Sequence, residues 1–313
     1  MTSSQTSRRV LLLAHTGRAE ARAVAVAFVE GLTREGVVVR LMAAEAKDLG
    51  VEPSGPGIEL TESETDASRD CDLTLVIGGD GSILRAVEFT HDSGTPVLGV
   101  NLGHVGFLAE AEVGEVDATI RAIVDGTWTV EDRLTLDVAV VLDGQVVTTT
   151  FAVNEASVEK AARERMLEVE VEVDGRPLSR WGCDGVVCAT PTGSTAYNFS
   201  AGGPIVWPDV EALCLVPLSA HALFARPLVI GPHSVIAIQV LARNEGAGVL
   251  WCDGRRAVDL PPGARIEVRR GRQPVRLARM HQAPFTDRLV AKFGLDVAGW
   301  RGQGERRLLG GPS

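Results

Sequence analysis

The stretch from Val76 to Arg85, VIGGDGSILR, joins a buried strand to a helix through a glycine-rich loop. The apolar run 73–77 is typical of a strand covered on both faces, and a helical pattern begins at Ile83. Three glycines in four positions let the main chain approach a ligand, and a helix start attracts anions. The charge of Asp80 would repel a phosphate. The stretch therefore predicts either a turn with Asp80 capping the helix, or an anion site whose carboxylate takes a proton from a hydroxyl or helps to hold a metal.

The first 130 residues alternate apolar strands with amphipathic helices, which is the pattern of a parallel sheet covered on both faces. The predicted strands are 10–14, 37–42, 73–77 and 97–100, and the predicted helices are 21–33 and 116–124. Ligands of such sheets bind beyond the carboxyl ends of the strands. The loop 78–82 follows a strand, so it lies where a site is expected.

From residue 131 the pattern changes to strict alternation of apolar and polar residues. The clearest case is 166–173, MLEVEVEV, which the hairpin signal Asp174-Gly175 follows. We therefore predict an α/β protein: an N-terminal Rossmann-like parallel sheet domain, residues 1–130, and a C-terminal β-sandwich-like domain, residues 131–283. Residues 284–313 return to a helical period and are expected to pack back on the first domain.

Composition excludes several classes of protein. A net charge of -10 argues against general nucleic-acid binding, which needs a basic surface. The longest apolar run, near 213–225, is too short and too broken for a membrane span, and the polar start has no signal-peptide pattern. The five cysteines contain no Cys-x-x-Cys pair, which indicates reduced thiols in a cytoplasmic protein.

The absence of familiar phosphate motifs narrows the kind of site. A dinucleotide fingerprint fails because Leu84 stands where the third glycine is needed. None of the three lysines follows a glycine, so there is no P-loop, and no protein-kinase catalytic loop is present. A carboxylate that accepts a hydroxyl proton beside a phosphate donor indicates phosphoryl transfer.

Two further stretches carry polar residues at strand ends. Residues 184–197, DGVVCATPTGSTAY, are interpreted either as a hydroxyl-rich loop that caps a helix or as a pocket for sugar hydroxyls and a ring. Asn154-Glu155 is either a polar pair at a strand end or a pair that binds a ribose diol. Asp-Gly pairs are weak evidence by themselves, and those at Asp143 and Asp174 are predicted hairpin turns.

Taken in order, these stretches resemble the NAD kinase family, which phosphorylates NAD on the adenosine 2′-hydroxyl to make NADP. The resemblance rests on 78–82 (GGDGS), 101–108 (NLGHVGFL), 154–156 (NEA) and 184–197, and it runs from about residue 10 to 300. The block TPTGSTAY is specific, whereas GGDG is shared with diacylglycerol and sphingosine kinases. Residues 283–289 and 299–302 resemble actinobacterial members.

The resemblance implies a role for each matching residue. Asp80 would be the general base, and the phosphate-donor loop would comprise Gly78, Gly79, Gly81 and Ser82. The residues implied in NAD binding are Asp80, Gly81, Arg85, Asn154, Glu155, Arg165, Asp184, Thr195, Ala196, Tyr197 and Ser200. Many members carry a basic residue just before the aspartate of the last block, where this chain has Gly182-Cys183; whether Arg180 substitutes is open, as is the contact made near Asp253.

The resemblance also implies ligands and assembly. The donor would be ATP or polyphosphate with a divalent metal cation, expected to be Mg²⁺, whose protein ligands are unassigned. The protein would form homodimers or homotetramers with sites shared between subunits. Two alternatives stay open at this point: a lipid kinase of the diacylglycerol type, which shares only the first motif, and a non-catalytic nucleotide sensor on the same fold.

Overall fold

The protein is described from a computed structural model over residues 7–53, 55–103, 106–109, 111–162, 165–243, 246–281 and 284–297. These residues divide into two compact units. The first unit contains the chain up to residue 90, residues 95–130 and the chain from 278, and the second contains 91–94 and 131–277. A membrane-spanning helix would need more length and apolar character than any helix in the described residues has.

The first sheet is built from strands that are mostly parallel. Its strands are β1 (Arg9–Ala14), β2 (Val38–Met42), β3 (Ile58–Thr61), β4 (Leu73–Ile77), β5 (Val97–Asn101), β6 (Ala111–Glu112), β7 (Thr129–Arg133) and β20 (Val275–Arg279). The order across the sheet is β3-β2-β1-β4-β5-β20-β7, with β6 beside β5. Strands β1 to β6 pair in parallel, which places the carboxyl ends of β1, β4 and β5 at one edge.

Helices cover this sheet with apolar stripes. They are α1 (Ala19–Arg34), α2 (Ala43–Leu49), α3 (Asp80–Thr90), α4 (Val116–Asp125) and α6 (Phe285–Phe293), with a 3-10 turn at Val113–Glu115. In α1 the buried residues Ala21, Val24, Ala25, Phe28 and Leu32 follow the helical period. They join β1, β2, β4 and β5 side chains in one core.

The second unit consists of two antiparallel sheets. Their strands are β8 (Leu136–Leu142), β9 (Gln145–Ala152), β10 (Glu155–Lys160), β11 (Leu167–Val173), β12 (Arg176–Cys183), β13 (Gly185–Ala189), β14 (Leu213–Leu218), β15 (Leu228–Ile230), β16 (Ile236–Val240), β17 (Gly248–Cys252), β18 (Arg256–Leu260) and β19 (Arg265–Arg270). One sheet has the order β15-β14-β13-β10-β17-β18, and the other has the order β12-β11-β16-β19-β8-β9. A short helix, α5 (Tyr197–Ser200), follows β13. Alternate residues of both sheets, such as Val169, Ile238, Val158 and Leu250, form one core, as in a sandwich.

The predicted fold class is therefore confirmed, and the structure differs from the prediction in some elements. The strand β3 and the helix α2, both absent from the prediction, lie between β2 and β4. Helix α3 begins at Asp80 rather than at Ile83, so the aspartate of the glycine loop is already in the first helical turn. Asp143 and Asp174 both adopt positive φ (49° and 52°) in hairpin turns, as the Asp-Gly pairs predict.

Candidate active site

Asp80 is held at the carboxyl end of β4 by two backbone amides. Its Oδ2 accepts a hydrogen bond from the Phe107 N–H at 3.0 Å, and its Oδ1 accepts one from the Leu108 N–H at 3.1 Å. The structure thus brings together two stretches that the sequence singled out, 78–82 and 101–108. His104 and Val105 of the second stretch lie outside the described residues.

Two glycines allow the close contacts around Asp80, and two others leave the main chain of the loop accessible. A Cβ on Gly106 would lie 2.4 Å from the Asp80 Oδ1, and a Cβ on Gly78 would lie 2.8 Å from the Ser82 Cβ. Both positions therefore need glycine because no side chain fits there. At Gly79 and Gly81 a Cβ would meet no described atom within 4 Å, so the main chain faces open space. A ligand can approach that part of the loop closely.

Arg85, one turn further along α3, forms an ion pair with Glu45. The Arg85 Nη1 lies 2.7 Å from the Glu45 Oε1, and the Glu45 Oε2 accepts the Ala14 N–H at 2.9 Å. Glu45 is buried on α2, a helix that the sequence analysis missed, while the Arg85 side chain is 38% exposed. The pair fixes the direction of Arg85 and leaves part of its side chain accessible.

In the second unit, Asp253 holds the bend between β9 and β10 that contains Asn154, and Glu155 is the first residue of β10. The Asp253 Oδ1 accepts the Val153 N–H at 2.9 Å and the Asn154 N–H at 2.7 Å. Arg256 donates from Nη2 to the Asp253 Oδ2 at 2.8 Å. Asp253 is buried and adopts a φ of 54° in the β17–β18 turn. It organises the bend through hydrogen bonds to the backbone.

Glu155 is a buried acid beside this second buried carboxyl group. Burial, and then the negative charge of Asp253, raise the pKa of Glu155 to about 8, although the Tyr197 N–H opposes the shift. Burial likewise raises the pKa of Asp253, against the Val153 and Asn154 amides and Arg256. Glu155 is therefore mostly protonated at neutral pH, when its carboxyl group can both donate and accept a hydrogen bond.

The hydroxyl-rich segment after β13 packs directly on this bend. A Cβ on Gly193 would lie 1.9 Å from the Asn154 carbonyl oxygen, so only glycine fits. The Thr190 hydroxyl donates to the Val153 carbonyl at 2.6 Å, and the Tyr197 N–H donates to the Glu155 Oε2 at 3.4 Å. The predicted residues Thr195, Ala196, Tyr197 and Ser200 lie in this segment, which contains a 3-10 turn (Thr192–Thr195), α5 and Ala196 between them. The structure thus groups them with Asn154 and Glu155.

Asp184 lies at the other end of β13, where it pairs with Lys160 at 2.5 Å. Hydrogen bonding to Lys160 lowers the pKa of Asp184, whose side chain is about half exposed. Burial and then the charges of Glu159, Glu155 and Asp184 raise the pKa of the Tyr197 phenol.

Two arginines of the second unit, Arg165 and Arg180, are a predicted and a possible contact to the ligand. Arg165 runs past Gly246, whose Cβ would lie 3.7 Å from the Arg165 Cδ. Arg180, the possible substitute for a basic residue before Asp184, forms an ion pair with Glu170.

Sequence reasoning assigns no role to the residues that support the site, although Gly106 and Gly193 lie in the quoted motifs, and it leaves the contact near Asp253 open. Gly106 and Gly193 allow another part of the chain to approach closely, and Asp253 accepts buried hydrogen bonds from the backbone. The sequence contained one usable signal: Asp253-Gly254 is followed by an arginine at i+3, Arg256, which suits a buried ion pair across a turn.

Comparison with known proteins agrees with this geometry. Residues 5–128 match the ATP-NAD kinase N-terminal domain, and residues 153–280 match the ATP-NAD kinase C-terminal domain. The NAD kinase of Thermobifida fusca is 58% identical over 97% of this chain and 95% of its own length, and NAD kinase 2 of Streptomyces avermitilis is 58% identical over 95% and 97%. The structure of yeast NADH kinase complexed with NADH has a TM-score of 0.84 at 26% identity, over 93% of this chain and 89% of that one. The chain therefore belongs to the NAD kinase family, the enzymes that phosphorylate NAD to NADP.

Proposed function

We propose that this enzyme transfers the terminal phosphate of ATP to the adenosine 2′-hydroxyl of NAD, with Asp80 as the general base. The observation that carries the proposal is the Asp80 carboxylate, which two amides hold in a loop with an open main chain. In the transfer, the 2′-oxygen forms a bond to the terminal phosphorus while the bond from that phosphorus to the leaving ADP oxygen breaks. The hydroxyl proton passes to Asp80.

The phosphate donor would lie against Gly78, Gly79, Gly81 and Ser82. This loop precedes the body of α3, where main-chain amides and the helix dipole favour negative charge. Arg85 would contact a phosphate from the same helix, with Glu45 fixing its direction. The matching family description, ATP-NAD kinase, supports ATP as the donor, and polyphosphate is the alternative that the experiment below tests.

The acceptor would be held by residues of the second unit. Asn154 and Glu155 would bind ribose hydroxyls, which suits a bend fixed by Asp253 and a carboxyl group that both donates and accepts. Thr195, Ala196, Tyr197 and Ser200 would line the NAD pocket on the segment packed against that bend. Arg165 and Asp184 would contact the dinucleotide further along.

A divalent cation, expected to be Mg²⁺, would neutralise phosphate charge when bound. Among the described residues no three His, Cys, Asp or Glu side chains come together as a cage for a metal. Mg²⁺ commonly binds through one or two carboxylates and the phosphates of a substrate, and each Asp80 oxygen has lone-pair capacity beyond its amide bond. The residues therefore fit a cation that the phosphates of the nucleotide and Asp80 would hold.

The test is turnover of the purified protein with NAD, ATP and Mg²⁺, with NADP measured by an NADP-specific dehydrogenase. Parallel reactions would replace ATP by polyphosphate and NAD by NADH. We expect Asp80→Asn to lower kcat by about 10²- to 10⁴-fold, the usual contribution of a general base, while NAD binding changes little.

Asp143→Asn is the matched control because Asp143 also precedes a glycine but lies in an exposed hairpin of the second unit. Its kcat should equal that of the unmodified protein. Turnover by Asp80→Asn at the unmodified rate would remove Asp80 from the base role. A location in the cytoplasm is also proposed, on the cysteine pattern alone, and fractionation of cells would test it.

A further inference from the structure

Two arginines near the end of the chain bind three consecutive carbonyls of the segment that holds Asp80. From α6, the Arg288 Nη1 donates to the Phe107 and Ala109 carbonyl oxygens, both at 3.0 Å. From β20, the Arg279 Nη1 donates to the Leu108 carbonyl at 2.9 Å, and Arg279 is buried. All of these residues belong to the first unit.

One peptide group connects Arg288 to Asp80 directly. The Phe107 carbonyl and the Leu108 N–H belong to the same peptide unit. Arg288 binds its oxygen, and the Asp80 Oδ1 accepts from its N–H at 3.1 Å. A cation on the carbonyl oxygen polarises the peptide and makes its N–H a stronger donor, because hydrogen bonds in a chain reinforce one another.

Apolar packing holds Arg288 in place. The Phe107 ring lies 5.7 Å from the Phe285 ring and 6.1 Å from the Phe293 ring, centroid to centroid, so both ends of α6 contact this side chain. Leu289, adjacent to Arg288, is buried. The helix therefore fixes both the position of residue 107 and the guanidinium that binds its carbonyl.

We propose that Arg288 is a positioning residue for Asp80, and that α6 orients the Asp80 carboxylate through the peptide group between Phe107 and Leu108. The proposal rests on the proposed role of Asp80 for its effect on turnover. Its structural part, the energetic coupling of Arg288 to Asp80, does not depend on that role.

The experiment compares Arg288→Met, Arg288→Lys and Arg8→Met in the full-length protein. Arg8 is the matched control: it also donates to a backbone carbonyl, that of Val124 at 2.9 Å, but it precedes β1 and so lies at the opposite edge of the sheet from Asp80. We expect Arg288→Met to lower kcat by about 10- to 100-fold, as loss of an outer partner of a reactive group commonly does, with the KM for NAD within about 3-fold. Arg288→Lys should recover part of kcat, and Arg8→Met should leave kcat unchanged.

A double-mutant cycle on thermal stability separates this proposal from the proposed function. If Arg288 acts through Asp80, the Tm changes of Arg288→Met and Asp80→Asn combine with a non-additivity above about 2 °C, whereas those of Arg8→Met and Asp80→Asn add. An active Asp80→Asn protein would end the base role but leave this coupling to be measured. Additive Tm changes, or a kcat for Arg288→Met equal to that of Arg8→Met, would overturn the positioning role.

Discussion

The Asp80 side chain is anchored and remains able to react. Each of its oxygens accepts one backbone amide, and Gly106 closes against the carboxylate so that it has little room to rotate. A carboxylate has about four lone-pair sites, so two of them are still available to a hydroxyl or a cation. Aspartate suits this position because its short side chain has only two torsions to fix, and both amides lie within its reach.

Glu155 differs because its environment favours the neutral acid. The sequence suggested a carboxylate that accepts from a ribose diol, but burial and the nearby Asp253 raise its pKa to about 8. In the neutral form one oxygen carries a proton and donates. A buried acid of this kind destabilises the folded protein at high pH, because it must then ionise next to another carboxyl group.

We expect Glu155→Gln to remove this pH-dependent cost. A folded pKa raised from 4.5 to about 8 means that the folded protein binds more protons than the unfolded chain between these values. The free energy of unfolding therefore falls as pH rises through that window, by at most ~1.4 kcal/mol for each pKa unit. Relative to the unmodified protein, the variant should gain Tm steadily from about pH 5 to about pH 9, as measured by thermal unfolding.

Glu20→Gln, which makes the same substitution on the exposed face of α1, is the control. A Tm difference for Glu155→Gln that does not vary with pH would contradict the raised pKa. Glutamine resembles the neutral acid in shape and hydrogen bonding, so the KM for NAD should rise less in Glu155→Gln than in Glu155→Ala.

At the scale of elements, local sequence predicted the strands and helices that are long enough and buried enough to allow only one interpretation. Strands β1 and β4 are continuous apolar runs, and α1 shows a helical stripe over 16 residues. β3 has only four residues and exposes Leu60, and α2 has only seven, so neither gives a clear period.

Local sequence could not predict the contacts that support the site, because these contacts join residues far apart in the chain. Phe107 binds Asp80 across 27 positions in the chain, and Val153 binds Asp253 across 100. Such contacts depend on the register of strands and loops that a single sequence does not specify. The resemblance in sequence implies which residues take part in the chemistry, and the structure shows which residues hold them in place.

The β17–β18 hairpin illustrates this, because its turn residue also organises another element. Asp253 has the same positive φ as Asp143 in the β8–β9 hairpin, yet Asp253 is buried and binds the β9–β10 bend while Asp143 is exposed. The same dipeptide therefore has two roles that differ only in what surrounds it.

We expect Asp253→Asn to loosen that bend and Asp143→Asn to change nothing measurable. Asparagine tolerates a positive φ, so both hairpins persist, but its amide offers one acceptor oxygen where Asp253 serves two amides and Arg256. Breaking a buried ion pair costs about 3–5 kcal/mol. Asp253→Asn should lower the Tm and raise the KM for NAD more than it lowers kcat. Equal Tm and KM values for the two variants would show that the bend does not depend on Asp253.

For the whole molecule, the second unit presents apolar side chains on an anchored loop. Between β14 and β15, the His221 N–H donates to the Gly182 carbonyl at 2.9 Å, and the Trp181 Nε1 donates to the Phe224 carbonyl at 3.2 Å. Leu223 is nevertheless fully exposed and Phe224 is half exposed. Exposed apolar groups on a fixed loop favour a protein interface, and a homodimer or homotetramer is the assembly that the resemblance implies.

Replacing both residues tests that assembly. We expect light scattering after size exclusion to give the mass of a dimer or tetramer for the unmodified protein, and a smaller mass for Leu223→Ser with Phe224→Ser, because the substitutions remove apolar surface from the contact. Val146→Ser with Val147→Ser is the control, since these β9 residues are also apolar and more than half exposed. If subunits share sites, NADP formation should fall with the mass on dilution. A monomeric unmodified protein would contradict the assembly, whereas an oligomer that the loop variant leaves intact would place its interface on another surface.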